Sequence, residues 1–166
     1  KTDTEMIKIC TTKQLRAADA YTILHEPISS IQLMERAATA FVHQFIQDYP
    51  NTKRPILVLC GSGNNGGDGL AITRLLAAKK YTILAYILPS KNYSKDCQQN
   101  INRLQKQHKK IIKTATSANF INALTPETII IDAIFGTGIN KPIAPNSLAF
   151  TLIADINKKP FEDVIA

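Results

Sequence analysis

The chain has 166 residues, 45% hydrophobic and 20% charged, which suits one domain with a sizeable core and excludes a disordered segment; its apolar runs fall far short of the ~20 residues of a membrane span. The net charge of +7 is local: of 20 basic and 13 acidic residues, nine and one (Asp96) lie between Lys79 and Lys113, leaving 11 against 12 elsewhere, so a solvated basic face accounts for it and nucleic-acid binding is not expected. Three cysteines, Cys10, Cys60 and Cys97, are too few and too widely spaced for a disulfide framework or zinc knuckle, and Lys1 to Lys8 precedes no cleavable apolar segment; both features point to a reducing, cytoplasmic setting.

Thr11 with Gln14 and Ser29 with Gln32 have capping-box spacing. They predict one helix over Thr12–Ile23 and, beyond Pro27, a second over Ser30–Tyr49 with Met34, Ala37, Ala38, Phe41, Phe45 and Ile46 toward the core. Pro55–Cys60 then reads as a strand buried on both faces. A glycine loop, Gly61–Gly67, leads into a helix through Leu70, Ile72, Leu75 and Leu76. Next come a strand at Thr82–Leu88, a polar basic helix at Ser94–Gln107, a weak strand at Lys110–Thr114 and a short helix at Ser117–Leu124. A buried strand at Thr128–Asp132, a second glycine loop, a helix over Asn146–Lys158 and the start of a strand at Val164 complete the order. Strands alternating with helices imply a three-layer αβα fold around a Rossmann-like, doubly wound, mostly parallel sheet, with two extra N-terminal helices outside it. A strand order of 3-2-1-4-5 makes the strands ending at Cys60 and Asp132 neighbours at the switch point, so both glycine loops flank one crevice.

All seven glycines fall in two short stretches: Gly61, Gly63, Gly66, Gly67 and Gly69, then Gly136 and Gly138. They mark close backbone approach or tight turning. Gly61-Ser-Gly-Asn-Asn-Gly66 matches the dinucleotide fingerprint by pattern, yet Leu88-Pro-Ser-Lys91 supplies no ribose-binding carboxylate. Asp68, expected in the first turn of the next helix, would repel a pyrophosphate seated there. Asn64, Asn65 and Asp68 instead offer oxygen atoms that suit a hard monovalent or divalent cation, and Asp132 ends an apolar strand where an unpaired carboxylate is costly. The bland alternative has Asn64 and Asn65 stabilising a turn and Asp132 capping a loop. Gly136-Thr-Gly138 can point backbone N–H groups at an anion, with Lys141 adding charge and Pro142 stiffening the exit.

Other chemistries lack parts. There is no P-loop and no Gly-x-Ser-x-Gly elbow; His25, His43 and His108 have no metal-ligand spacing, and a kinase-like site would need a base and magnesium pair not recognisable here.

Leu59-Cys-Gly-Ser-Gly-Asn-Asn-Gly-Gly-Asp-Gly-Leu70 and Asp132-Ala-Ile-Phe-Gly-Thr-Gly138 with Lys141-Pro142 resemble the YjeF N-terminal domain family, the NAD(P)H-hydrate epimerases. Thr12-Lys-Gln-Leu-Arg16 with Asp19, and Ile28-Ser-Ser-Ile-Gln-Leu-Met-Glu-Arg-Ala37, resemble its two leading helices, so the likeness runs from Ile7 to Ala166 and residues 1–166 are expected to form one such domain. The resemblance implies interconversion of the R and S forms of hydrated NADH or NADPH. It implies substrate contact by Asn64, Asn65, Gly66, Gly67 and Asp68 and by Gly136, Thr137, Gly138, Ile139, Asn140, Lys141 and Pro142. It also implies one potassium ion per subunit held by Asn65 and Asp132, no redox cofactor, a homodimer, and a fused or separate dehydratase partner. Asp68 is the expected proton-transfer residue. In the family an Asp-Ile-Pro-Ser-Gly motif follows the last strand; this sequence stops where it would start, so the domain is expected to be truncated there. The rival expectation is a non-catalytic nucleotide- or RNA-binding dimeric scaffold of the same fold.

Overall fold

The structure, a computed structural model, describes residues 10–139 and 141–166. Helices α1 (Thr12–His25) and α2 (Ser30–Asp48) come first. Each begins at its expected cap: Thr11 Oγ1 accepts from the Gln14 N–H, and Gln32 Oε1 accepts from the Ser29 N–H at 2.8 Å. Strand β1 (Ile56–Cys60), helix α3 (Asn64–Ala78), strand β2 (Ile83–Ile87) and helix α4 (Lys95–His108) follow. Strands β3 (Ile112–Thr114) and β4 (Ile129–Ala133), helix α5 (Leu148–Lys158) and strand β5 (Val164–Ile165) complete the order. The 117–124 helix is a 3-10 turn over Asn119–Ala123.

All pairings are parallel, in the order β3-β2-β1-β4-β5. Alternate residues of β1 point to two separate cores. Ile56, Val58 and Cys60 pack under α2, α3 and α4; Leu57 and Leu59 pack with Ile130, Leu152 and Ile156 under α5. This is the expected Rossmann-like three-layer sandwich, with one correction. Helix α2 is part of a layer rather than an outlier: Met34, Ala38, Val42 and Phe45 are buried, whereas the expected core residue Ala37 is exposed. The 4-4-3 spacing tracks one helical face, and Ala37 sits off it. Helix α1 buries no residue and alone lies outside the sandwich. No described helix is long and apolar enough to cross a membrane.

Helix α3 ends with Lys80 at φ 68°, its N–H donating to Ala77 O and that of Tyr81 to Leu76 O. This is the Schellman arrangement with lysine in the place glycine usually holds.

Candidate active site

Register decides where the two glycine segments meet. Cys60 pairs with Ala133, and the Gly61 N–H extends the ladder to the Ala133 carbonyl at 2.9 Å. Chain leaving β1 turns toward α3 and chain leaving β4 turns toward α5, so a crevice opens between them. It is a cavity of about 990 Å³, at the upper end of the range for small-molecule sites.

The first segment differs from its expected form. The loop is only Gly61–Gly63; α3 already begins at Asn64, and Asp68 sits in its second turn. The glycines are not there for left-handed backbone, since no described glycine has positive φ. They permit contact. A Cβ on Gly61 would lie 2.0 Å from the Ile134 carbonyl oxygen, and one on Gly66 would lie 1.9 Å from that of Gly61. Backbone is thus stacked on backbone, and the first N–H groups of α3, capped only by Gly63, are left for a ligand.

Of the expected contact residues, Asn64, Asn65, Asp68, Gly136, Thr137, Gly138, Ile139, Lys141 and Pro142 line the cavity. Gly66 and Gly67 do not: both are buried in α3, Gly66 against Gly61 and Gly67 against Met34 and Cys97. Asn140 falls outside the described residues. Asp132 is half-buried at the end of β4, off the cavity wall, and its Oδ1 accepts from the Ile134 N–H at 2.9 Å. Asn65 Nδ2 donates to the Phe135 carbonyl at 3.0 Å, which leaves its amide oxygen free of that bond. Each side chain thus makes one hydrogen bond to the chain leaving β4, and each keeps an oxygen beyond the bond described. Among the described residues no group of three or more His, Cys, Asp or Glu is placed to hold a metal.

Asp68 has the most perturbed carboxyl. Burial, reinforced by the neighbouring carboxylates of Asp19 and Asp96, pushes it up to about 6. That is the range in which a carboxyl can both give and take a proton near neutrality.

Helix α1 also reaches the cavity, with Arg16 and Asp19. A Cβ on Gly138 would come 3.4 Å from an Arg16 guanidinium nitrogen. The sequence marks these two as part of the leading-helix resemblance but not as site residues, and only the packing of α1 brings them to the site. Leu88, Pro89 and Ser90 from the end of β2, and Ser147 from the cap of α5, also line it and carry no motif.

The family described as YjeF-related protein N-terminus matches residues 30–166, the whole of the α2-to-β5 sandwich. The chain belongs to that family. A Limosilactobacillus reuteri (strain ATCC 55730 / SD2112) protein named NAD(P)H-hydrate epimerase is 35% identical over 136 residues, 82% of this chain and 62% of that protein. One of the same name from Rhodobacter capsulatus is 26% identical over 160 residues, covering 92% and 73%. Another, from Oenococcus oeni, is 34% identical over 132 residues, covering 79% and 60%. Against the first of these the YjeF-related chain spans about three fifths of its relative's length. The crystal structure of yeast ynu0 (YNL200c) superposes with a TM-score of 0.73 at 23% identity, over 92% of this chain and 65% of that one, and supports the fold.

Proposed function

We propose that the protein interconverts the R and S forms of hydrated NADH or NADPH. The observation that carries this is Asp68, a carboxyl pushed up to about 6 on the wall of a polar switch-point cavity, in a chain related to proteins named for that activity. A scaffold would gain nothing from such a cavity.

The substrate bears a hydroxyl at C6 of its reduced ring, beside the ring nitrogen N1. Inversion at C6 follows when that hydroxyl leaves as water and water returns on the other face, through a planar iminium. The enzyme must hold the ring, protonate the departing oxygen and deprotonate the incoming one. Asp68 is the group suited to proton exchange. The Gly136–Gly138 backbone suits the anionic part of the nucleotide, with Arg16 and Lys141 adding positive charge.

The reading includes one potassium ion per subunit, held by Asn65 and Asp132. The chemistry of the donors fits: one carboxylate and a neutral amide oxygen suit a weakly charged hard cation better than a transition metal. When bound, the ion would supply a fixed positive charge that orders the loop after β4. Asp132 is then a ligand and not a base. A homodimer, a separate or fused dehydratase that consumes the S form, and a cytoplasmic location belong to the same reading; the unpaired cysteines support the last.

The test mixes purified R-hydrate of NADH with the protein, with and without potassium, and follows appearance of the S form. Equilibration well above the spontaneous rate is expected. Folded protein that gives no acceleration would sink the proposal.

A further inference from the structure

Inversion by loss and return of water needs an acid on one face of C6 and a base on the other. Asp68 alone can serve one face at a time. Helix α1 supplies a second carboxyl, since Asp19 lines the same cavity and sits near enough to Asp68 to act on its ionisation. Among the described residues Asp19 makes no hydrogen bond and no ion pair. Its helix is otherwise unburied, held over the cavity with Arg16 beside Gly138.

The other charged groups around Asp68 are poor candidates for this task. Arg16, from α1, carries a guanidinium, which has donors only and no acceptor. Lys141, from the loop after β4, is a cation exposed to solvent. Asp96, from α4, is 7% exposed and off the cavity wall. Glu35, from α2, is engaged by Arg74 and Arg103. Among the described residues Asp19 is the remaining carboxyl that lines the cavity with Asp68.

We propose, building on the epimerase reading, that Asp19 is a second catalytic residue, paired with Asp68 so that one carboxyl is protonated while the other is ionised. The protonated member gives its proton to the C6 hydroxyl. The C6–O bond breaks, the N1 lone pair forms the N1=C6 bond, and water departs. A water then attacks C6 from the opposite face, the N1=C6 pair returns to N1, and the ionised carboxyl takes the surplus proton. One proton has crossed from one aspartate to the other, with nothing oxidised or reduced. The state left behind is the one from which the reverse reaction starts, and exchange with solvent through the open cavity resets it.

The experiment compares wild-type protein, Asp19→Asn and Asp19→Glu in R-to-S conversion across pH 4 to 9, with spontaneous conversion subtracted. Wild type should give a bell-shaped kcat profile. Asp19→Asn should lower kcat by about 100-fold or more, leave KM within about threefold, and lose one limb of the bell. Asp19→Glu should restore part of kcat. Because Asp19 lies on an exposed helix face, Asp19→Asn should melt at the wild-type temperature, which separates the effect from unfolding. An Asp19→Asn protein that keeps both limbs with kcat within threefold, or that changes KM alone, overturns the pair and leaves the epimerase reading standing. Folded wild-type protein that gives no acceleration overturns that reading and the pair with it.

Discussion

Asn65 Nδ2 donates to the Phe135 carbonyl at 3.0 Å, tying the first turn of α3 to the loop that leaves β4. These residues are 70 apart in sequence, and the bond joins the two sides of the cavity. A Cβ placed on Gly136, next to Phe135, would lie 3.0 Å from Asn65 Cβ, so the two segments are already in contact.

Removing that tie should loosen the site more than the fold. Asn65→Ala is expected to cost about 1 kcal/mol of stability, the usual worth of one hydrogen bond, while epimerisation falls at least tenfold. Asn65→Asp retains the shape but cannot donate to Phe135, and should be as inactive. Thermal melts beside R-to-S rates check both; an Asn65→Asp protein with wild-type turnover would show that the donor is dispensable.

Gly61 and Gly66 stand at one extreme and Gly63 at the other. Gly61→Ala and Gly66→Ala would drive a methyl into backbone at 2.0 and 1.9 Å, where no side chain can swing aside. Each should destabilise by about 3 kcal/mol or more and fail to give a cooperative melt near the wild-type temperature. Gly63→Ala has nothing within 4 Å and keeps an ordinary φ of −86°. It should fold normally, and loss of activity in that folded variant would mean that the substrate approaches the Gly63 backbone closely.

The raised carboxyl of Asp68 has a signed consequence for stability. Its folded value of about 6 lies above the ordinary 3.8, so between those values the native state binds more protons than the unfolded chain. Its contribution to stability therefore falls as pH rises from about 4 to about 6, and the cost of the buried charge is fully present above 6. Asp68→Asn should raise the melting temperature at pH 7.5, leave it nearly unchanged at pH 4, and abolish turnover. A melting temperature lowered at pH 7.5 would mean that the ionised side chain is stabilised by a partner.

Potassium should act through Asp132 and Asn65. Activity is expected to rise saturably with potassium in a buffer otherwise free of alkali metal ions, and to respond little in Asp132→Asn, which keeps an acceptor for the Ile134 N–H but loses the charge. Rates independent of potassium in the wild type would remove the ion from the proposal.

Lys80 offers a test of the fold alone. A non-glycine residue at φ 68° carries about 1 kcal/mol of backbone strain, partly offset on mutation by glycine's greater freedom when unfolded. Lys80→Gly should stabilise the protein by up to about 1 kcal/mol, read as a shift in the denaturant midpoint at constant slope.

The order of elements, the parallel sheet and the crevice at the switch point were legible because each rests on local patterning: capping boxes, apolar runs of strand length, and glycines confined to two segments. Asn64, Asn65, Asp68, Gly136, Thr137, Gly138, Lys141 and Pro142 could be picked out for the same reason, and all of them line the cavity. Helix boundaries near the site were not. The chain at Asn64 has the composition of a loop, and α3 starts there because Gly61 and Gly66 can touch backbone to backbone. Nor could the sequence tell buried glycines from exposed ones, so Gly66 and Gly67 were expected on the wall and lie inside the helix. Arg16 and Asp19 belong to a helix with no buried face, and a sequence pattern carries no sign of what such a helix overhangs. The raised carboxyl of Asp68 likewise depends on three aspartates from α1, α3 and α4 coming together. Sequence by itself determined which residues have the chemistry; tertiary packing decided which of them share a cavity, because proximity between distant segments and removal from water are properties of the folded chain alone.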